Sequence, residues 1–135
     1  MKALAALFLA AIPMLAQSAV VWEHDLVAAQ KRAKAEKKLL FVDIWAEWCG
    51  PCQHLKKKVF PTPEAQKALG AYVAVALMTE SKDRTQNPTN MKLAERYKVE
   101  GYPTLLILDA EGKELRRQVG AFRTGAEFAA WLGSK

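Results

Sequence analysis

The stretch Leu39-Leu40-Phe41-Val42-Asp43-Ile44-Trp45 constrains this chain more than any other part of it. It is a short apolar run rich in strand formers, without the polar–apolar alternation of a half-exposed strand. Such a run reads as a strand covered on both faces, as at the centre of a sheet with helices on either side. The single acid inside it, Asp43, is therefore placed in an apolar setting.

The rest of the chain supplies the covering elements. Asp25 to Lys38 reads as a helix, with Asp25 as N-cap and Leu26, Ala29 and Ala33 on one face. Gly50 to Lys58 reads as a second helix, with Cys52, Leu55 and Val59 inward, stopped by Pro61 and Pro63. Thr62 and Pro63 are start signals for a short helix over Glu64 to Leu69. Tyr72 to Met78 is a second buried strand, and the polar stretch Glu80 to Asn90, with Asn87-Pro88 inside it, reads as a loop. Met91 to Lys98 is helical, with Leu93, Ala94 and Tyr97 inward. Thr104 to Leu108 is a third strand, and Asp109-Ala110-Glu111-Gly112 turns into a fourth, Lys113 to Val119. Thr124-Gly125-Ala126-Glu127 has the capping-box form and opens a last helix lined by Phe128, Trp131 and Leu132. The order predicts an α/β domain with one central mixed sheet flanked by helices on both faces. Its early pair is parallel and its closing hairpin antiparallel.

Composition agrees with one domain. The chain has 135 residues, 51% hydrophobic and 25% charged, which excludes disorder, collagen and a multi-span membrane protein. Two cysteines are too few for a disulfide scaffold. Met1 to Ser18 stands apart, with a single charge, Lys2, and an apolar stretch shorter than the ~20 residues a bilayer requires. Its layout, ending in Ala16-Gln17-Ser18, is that of a secretory signal peptide. A buried N-terminal helix, or an uncleaved anchor extended through Val21, are the competing readings. The expectation is a signal peptide over 1–18 and a domain over 19–135, exported to an oxidising compartment such as a periplasm. The net charge of +6 includes Lys31, Arg32, Lys34, Lys37 and Lys38 of the first helix. No aromatics interleave with them and export removes the nucleic acid, so they read as a solvated face and nucleic acid is not expected as a partner.

The chemistry lies in Trp48-Cys49-Gly50-Pro51-Cys52, between the first buried strand and the helix after it. Cys49 at a helix N-terminus meets unpaired N–H groups that favour a thiolate, the form that attacks a disulfide. Cys52 lies one helical turn on, so the two sulfurs can meet. Pro51 suits the first turn, and Gly50 leaves no side chain before an incoming partner. A zinc half-site, a haem attachment and a purely structural bridge compete with this reading. No second cysteine pair is present, Gln53 stands where the haem motif needs His, and so short a loop removes little unfolded-state entropy. No metal is expected, and His24 and His54 read as surface residues without a role.

The segment from Val42 to Cys52 resembles the active-site segment of the thioredoxin family. Gly101-Tyr102-Pro103-Thr104-Leu105 resembles the family's second signature, in which the proline is cis and faces the cysteines. Val119-Gly120-Ala121 resembles the loop beside them. The frame is similar to an exported thioredoxin-like branch, in particular the C-terminal domain of the DsbD thiol:disulfide interchange proteins. That branch has a Trp before a lysine-rich first helix and a phrase like Val59-Phe60-Pro61-Thr62-Pro63-Glu64.

The resemblance covers Leu39 to the end and implies a thioredoxin fold. It also implies catalytic roles: Cys49 attacks a substrate disulfide, Cys52 resolves the mixed disulfide, and Asp43 takes the proton from Cys52. Trp48, Gly50, Pro51, Tyr102, Pro103, Gly120 and Ala121 are implied as the substrate-binding apron, with the Tyr102 backbone pairing an extended segment. The Cys49–Cys52 redox-active disulfide serves in place of a cofactor. Two departures stand out. Val73 to Met78 lacks the lysine that the family carries near its buried acid, and Tyr102 stands where a branched aliphatic residue is usual.

The activity so implied is an exported protein-disulfide reductase, a monomer acting on disulfide-containing proteins and fed by a membrane electron donor of the DsbD type. Cys-Gly-Pro-Cys favours reduction, since thioredoxin lies at about −270 mV and the oxidant DsbA at about −120 mV. A disulfide oxidase or isomerase, and a non-catalytic binding module, are the alternatives.

Overall fold

The computed structural model describes residues 19–134, so the expected signal peptide over 1–18 lies outside the described residues. The apolar run forms strand β1, Leu39–Ala46, buried at every position after Leu39. Its side chains alternate between two cores, as pleating requires. Leu40, Val42 and Ile44 pack into one core, while Phe41 faces the other and Trp45 joins Cys49 and Cys52 in a small cluster on that side. Helix α1, Leu26–Glu36, covers the first face. Asp25 caps it by accepting the Ala28 N–H at 2.7 Å. Lys37, in the left-handed region at φ 55°, ends it.

Strand β2, Tyr72–Glu80, pairs parallel with β1, Asp43 opposite Ala76. Strand β3, Thr104–Leu108, pairs antiparallel on the other side of β1, and β4, Glu114–Val119, pairs antiparallel with β3. The strand order is β2-β1-β3-β4, which puts the strand bearing Asp43 in the interior of a four-stranded mixed sheet, as expected. At the outer edge of β2, Glu23 adds a parallel bridge to Val75 that the sequence did not suggest.

Two elements differ from the sequence reading. The helix expected over Gly50 to Lys58 is α2, Gly50–His54, continued by a π-helical turn, Leu55–Val59. The Phe60 N–H donates to the Leu55 carbonyl at 2.8 Å, an i→i+5 bond that stacks one buried apolar residue over another. At 3.6 residues per turn Phe60 would be carried away from Leu55, so apolar packing accounts for the wider turn. Helix α3, Pro63–Leu69, follows with Thr62 as its cap. The second difference is the stretch Glu80 to Asn90. The strand β2 runs on to Glu80, and α4 is Pro88–Arg96, starting before the expected Met91. Asn87-Pro88 proves to be a helix start: Asn87 accepts the Asn90 N–H at 3.0 Å, and Pro88 occupies a first-turn site where no N–H is needed.

Helix α5, Gly125–Gly133, closes the second face against α3. Thr124 accepts the Glu127 N–H, and Glu127 accepts in return from the Arg123 N–H, one residue earlier than in the usual box. Phe128, fully buried, anchors this face with Phe41, Phe60, Phe122 and Trp131 around it.

Candidate active site around Cys49 and Cys52

The end of β1 and the start of α2 place the two cysteines together. Cys49 is the N-cap of α2, in extended conformation, and its sulfur accepts the Cys52 N–H at 3.2 Å. Cys49 and Cys52 form a disulfide, with their Cα atoms 5.2 Å apart. The resemblance makes Cys49 the attacking sulfur and Cys52 the resolving one. In the disulfide form Cys49 is only 4% exposed and Cys52 1%. Gly50 and Pro51 are exposed, and a Cβ at Gly50 would meet nothing within 4 Å, so the approach over the disulfide is open there.

The residues expected to form the apron come from three segments. Trp48, 39% exposed, stands edge-to-face with Tyr102 at 6.0 Å between centroids. Tyr102 also packs against the cluster of Trp45, Ala46, Cys49 and Cys52. The Tyr102-Pro103 bond is cis, and the Gly120 N–H donates to the Pro103 carbonyl at 2.8 Å. Gly120 has φ +93°, a conformation that favours glycine and that lets the chain leave β4 beside Pro103. Ala121 lies on the aromatic side, packed with the Phe41–Phe128 core.

Three further residues belong to this neighbourhood and were missed in the sequence. Glu80 accepts the Trp48 indole N–H at 2.8 Å, and the Arg84 guanidinium lies 3.9 Å over the same ring. Both sit in the polar stretch read as a plain loop, where nothing in the spacing points to Trp48. The third is Lys56, four residues past Cys52, a spacing that brings two residues of a helix to one face and could have drawn attention to it.

Behind the disulfide, a cleft of about 970 Å³ is lined by Trp22, His24, Asp43, Trp45, Cys52 and Lys56, among others. Asp43 is 5% exposed, and its Oδ1 has no hydrogen-bond partner. Burial pushes its carboxyl up from 3.8 to about 7, and the positive charge of Lys56 pulls the other way. A carboxyl poised near neutrality on the same cleft as a buried sulfur is suited to exchange a proton with it. The Trp45 indole N–H is likewise buried and unpartnered on this side.

The profile of the thioredoxin-like domain matches residues 26–134. Among curated relatives, the chain is 33% identical over 105 residues to the thiol:disulfide interchange protein DsbD of Colwellia psychrerythraea. The match spans 77% of this chain but only 17% of that protein, so the matched segment is under a fifth of the length of that relative. Among solved structures, the DsbH oxidoreductase superposes with a TM-score of 0.73 at 23% identity, covering 85% of this chain and 83% of that one. A thioredoxin from Thermus thermophilus gives 0.69 at 28% identity, covering 85% of each. The four-stranded mixed sheet with its helices is a thioredoxin fold.

Proposed function

Since this chain belongs to the thioredoxin-like domain family, we propose that it is an exported thiol:disulfide oxidoreductase that reduces disulfides in other proteins. The observation that carries the proposal is the Cys49–Cys52 disulfide at the start of α2, with the Asp43 carboxyl and Cys52 on one cleft. In the dithiol form, the Cys49 thiolate is stabilised by the helix N-terminus and attacks one sulfur of a substrate disulfide. A Cys49–substrate disulfide forms and the other substrate sulfur leaves as a thiolate. Asp43 accepts the proton of Cys52, and the Cys52 thiolate attacks Cys49. The Cys49–Cys52 disulfide forms and the reduced substrate departs. The couple itself carries the two electrons, with no separate cofactor.

Trp48, Gly50, Pro51, Tyr102, Pro103, Gly120 and Ala121 form the surface that receives the substrate. An extended substrate segment pairs with the Tyr102 backbone, in the manner of a strand added to an edge. Export rests on the character of Met1 to Ser18. Among the described residues no helix is long and apolar enough to cross a membrane. An exported reductase needs electrons from across the membrane, and the relatedness to DsbD makes a membrane donor of that type the natural source.

The test is a trap. A Cys52→Ala chain expressed in its host should hold substrate proteins on Cys49 through bonds that dithiothreitol releases. An empty trap refutes disulfide exchange. In the same cells the wild-type pair should be mostly dithiol, whereas a mostly oxidised pair would assign the chain to disulfide formation.

A further inference from the structure

The family's lysine near the buried acid is absent from β2, yet the acid is not left without a cation. Lys56 sits in the π-helical turn after α2, and its Nζ lies 4.9 Å from the centre of the Trp45 ring. Trp45 is two residues beyond Asp43, on the same face of β1. Asp43, Trp45, Cys52 and Lys56 all line one cleft. The cation–π contact places the ammonium of this exposed lysine at the wall of the cleft that holds the acid and the second sulfur.

The other groups around Asp43 offer no substitute. Its neighbours across the sheet are Ala76 and Leu105. His24 from the N-terminal segment and Lys67 from α3 reach the cleft, but the charge felt at Asp43 is that of Lys56. Asp43 Oδ1 is buried without a hydrogen-bond donor, so a nearby positive charge is one means of stabilising the ionised form.

We propose that Lys56 is a positioning residue for the exchange reaction: held over Trp45, its ammonium decides whether Asp43 is ionised when Cys52 must give up its proton. The proton then passes from the Cys52 thiol to the Asp43 carboxylate, and the resulting thiolate closes on Cys49. The chemistry rests on the function proposed above, while the coupling between Lys56 and Asp43 rests on their shared cleft and the contact of Lys56 with Trp45, and does not need that function.

The experiment uses the full chain with Lys56→Met, Lys56→Gln and Lys56→Arg, and reads two quantities. Infrared titration of the oxidised protein follows the Asp43 carboxyl, assigned by difference from Asp43→Asn. The pH profile of disulfide reduction follows turnover. Loss of the charge should raise the Asp43 midpoint by about half to one pH unit, and Lys56→Arg should leave it in place. The acid limb of the rate profile should move with it, which lowers turnover at pH 7 about two- to fivefold. In an Asp43→Asn background the Lys56 variants should have no further effect on that limb. A midpoint unmoved by Met and Gln refutes the coupling, whatever the activity. A midpoint that moves while the rate profile stays refutes the positioning role. If no form turns over, wild type included, the reductase reading falls, and the infrared shift still decides the coupling.

Discussion

Replacing Asp43 by Asn should make the stability of the oxidised protein less dependent on pH, in one direction only. In the unfolded chain this carboxyl ionises near 3.8, whereas in the folded chain it keeps its proton up to about 7. Between those values the folded state holds a proton that the unfolded state has released, so stability falls as pH rises. Below 3.8 both states are protonated and the full stability is present. Above about 7 both are ionised and the loss is complete. Roughly three pH units at about 1.4 kcal/mol each give about 4 kcal/mol as the cost of ionising Asp43 in place. Solvent reaching the carboxyl through the cleft makes this an upper figure. Asn cannot ionise, so the stability of Asp43→Asn relative to wild type should climb by up to about 4 kcal/mol from pH 4 to pH 8. Guanidinium unfolding of the two oxidised proteins at several pH values measures this. Taking the difference removes the other titrating groups, including Asp83, which Ser81 and Thr85 hold down at about 2. A difference flat to within about 1 kcal/mol over that range would show that Asp43 ionises normally in the fold, and the buried-acid argument would be wrong.

Two further substitutions test how the second face is held. Phe128→Ala removes a fully buried ring from contact with Phe41, Phe60 and Phe122, and should cost about 3–5 kcal/mol in guanidinium unfolding. Gly125→Ala places a Cβ on the Thr62 side chain, where α5 starts against the cap of α3. It should cost about 1–3 kcal/mol and lower the thermal midpoint, and an unchanged midpoint would show that the two helix starts can separate freely.

The sequence carried most of the frame because its strongest cues coincide. In β1 the apolar run has no solvent face, and only a central strand satisfies that. Caps did the same for helices: Asp25, Thr62 and Thr124 each accept an N–H from the first turn of the helix they open. Asn87-Pro88 shows the limit. The same dipeptide serves a turn and a helix start, and only the backbone direction set by β2 and α4 separates them. The Glu23–Val75 bridge was hidden for a related reason, since one pairing leaves no periodic pattern.

The two halves of the site differ in the same way. Cys49, Cys52 and Asp43 lie within ten residues of one another, and a strand followed directly by a helix brings them together by local geometry. The position of Lys56 depends on more. Its spacing from Cys52 suits a helical face, but what lies opposite that face is settled by the turn that Leu55 and Phe60 widen and by the Trp45 ring it covers. A charge that acts on Asp43 from a helix rather than from β2 follows from packing between segments, which spacing along one helix does not encode. The missing strand lysine is then offset in part: a cation reaches the cleft that holds Asp43 from the helix side, on a side chain that lies against an aromatic ring instead of within the sheet.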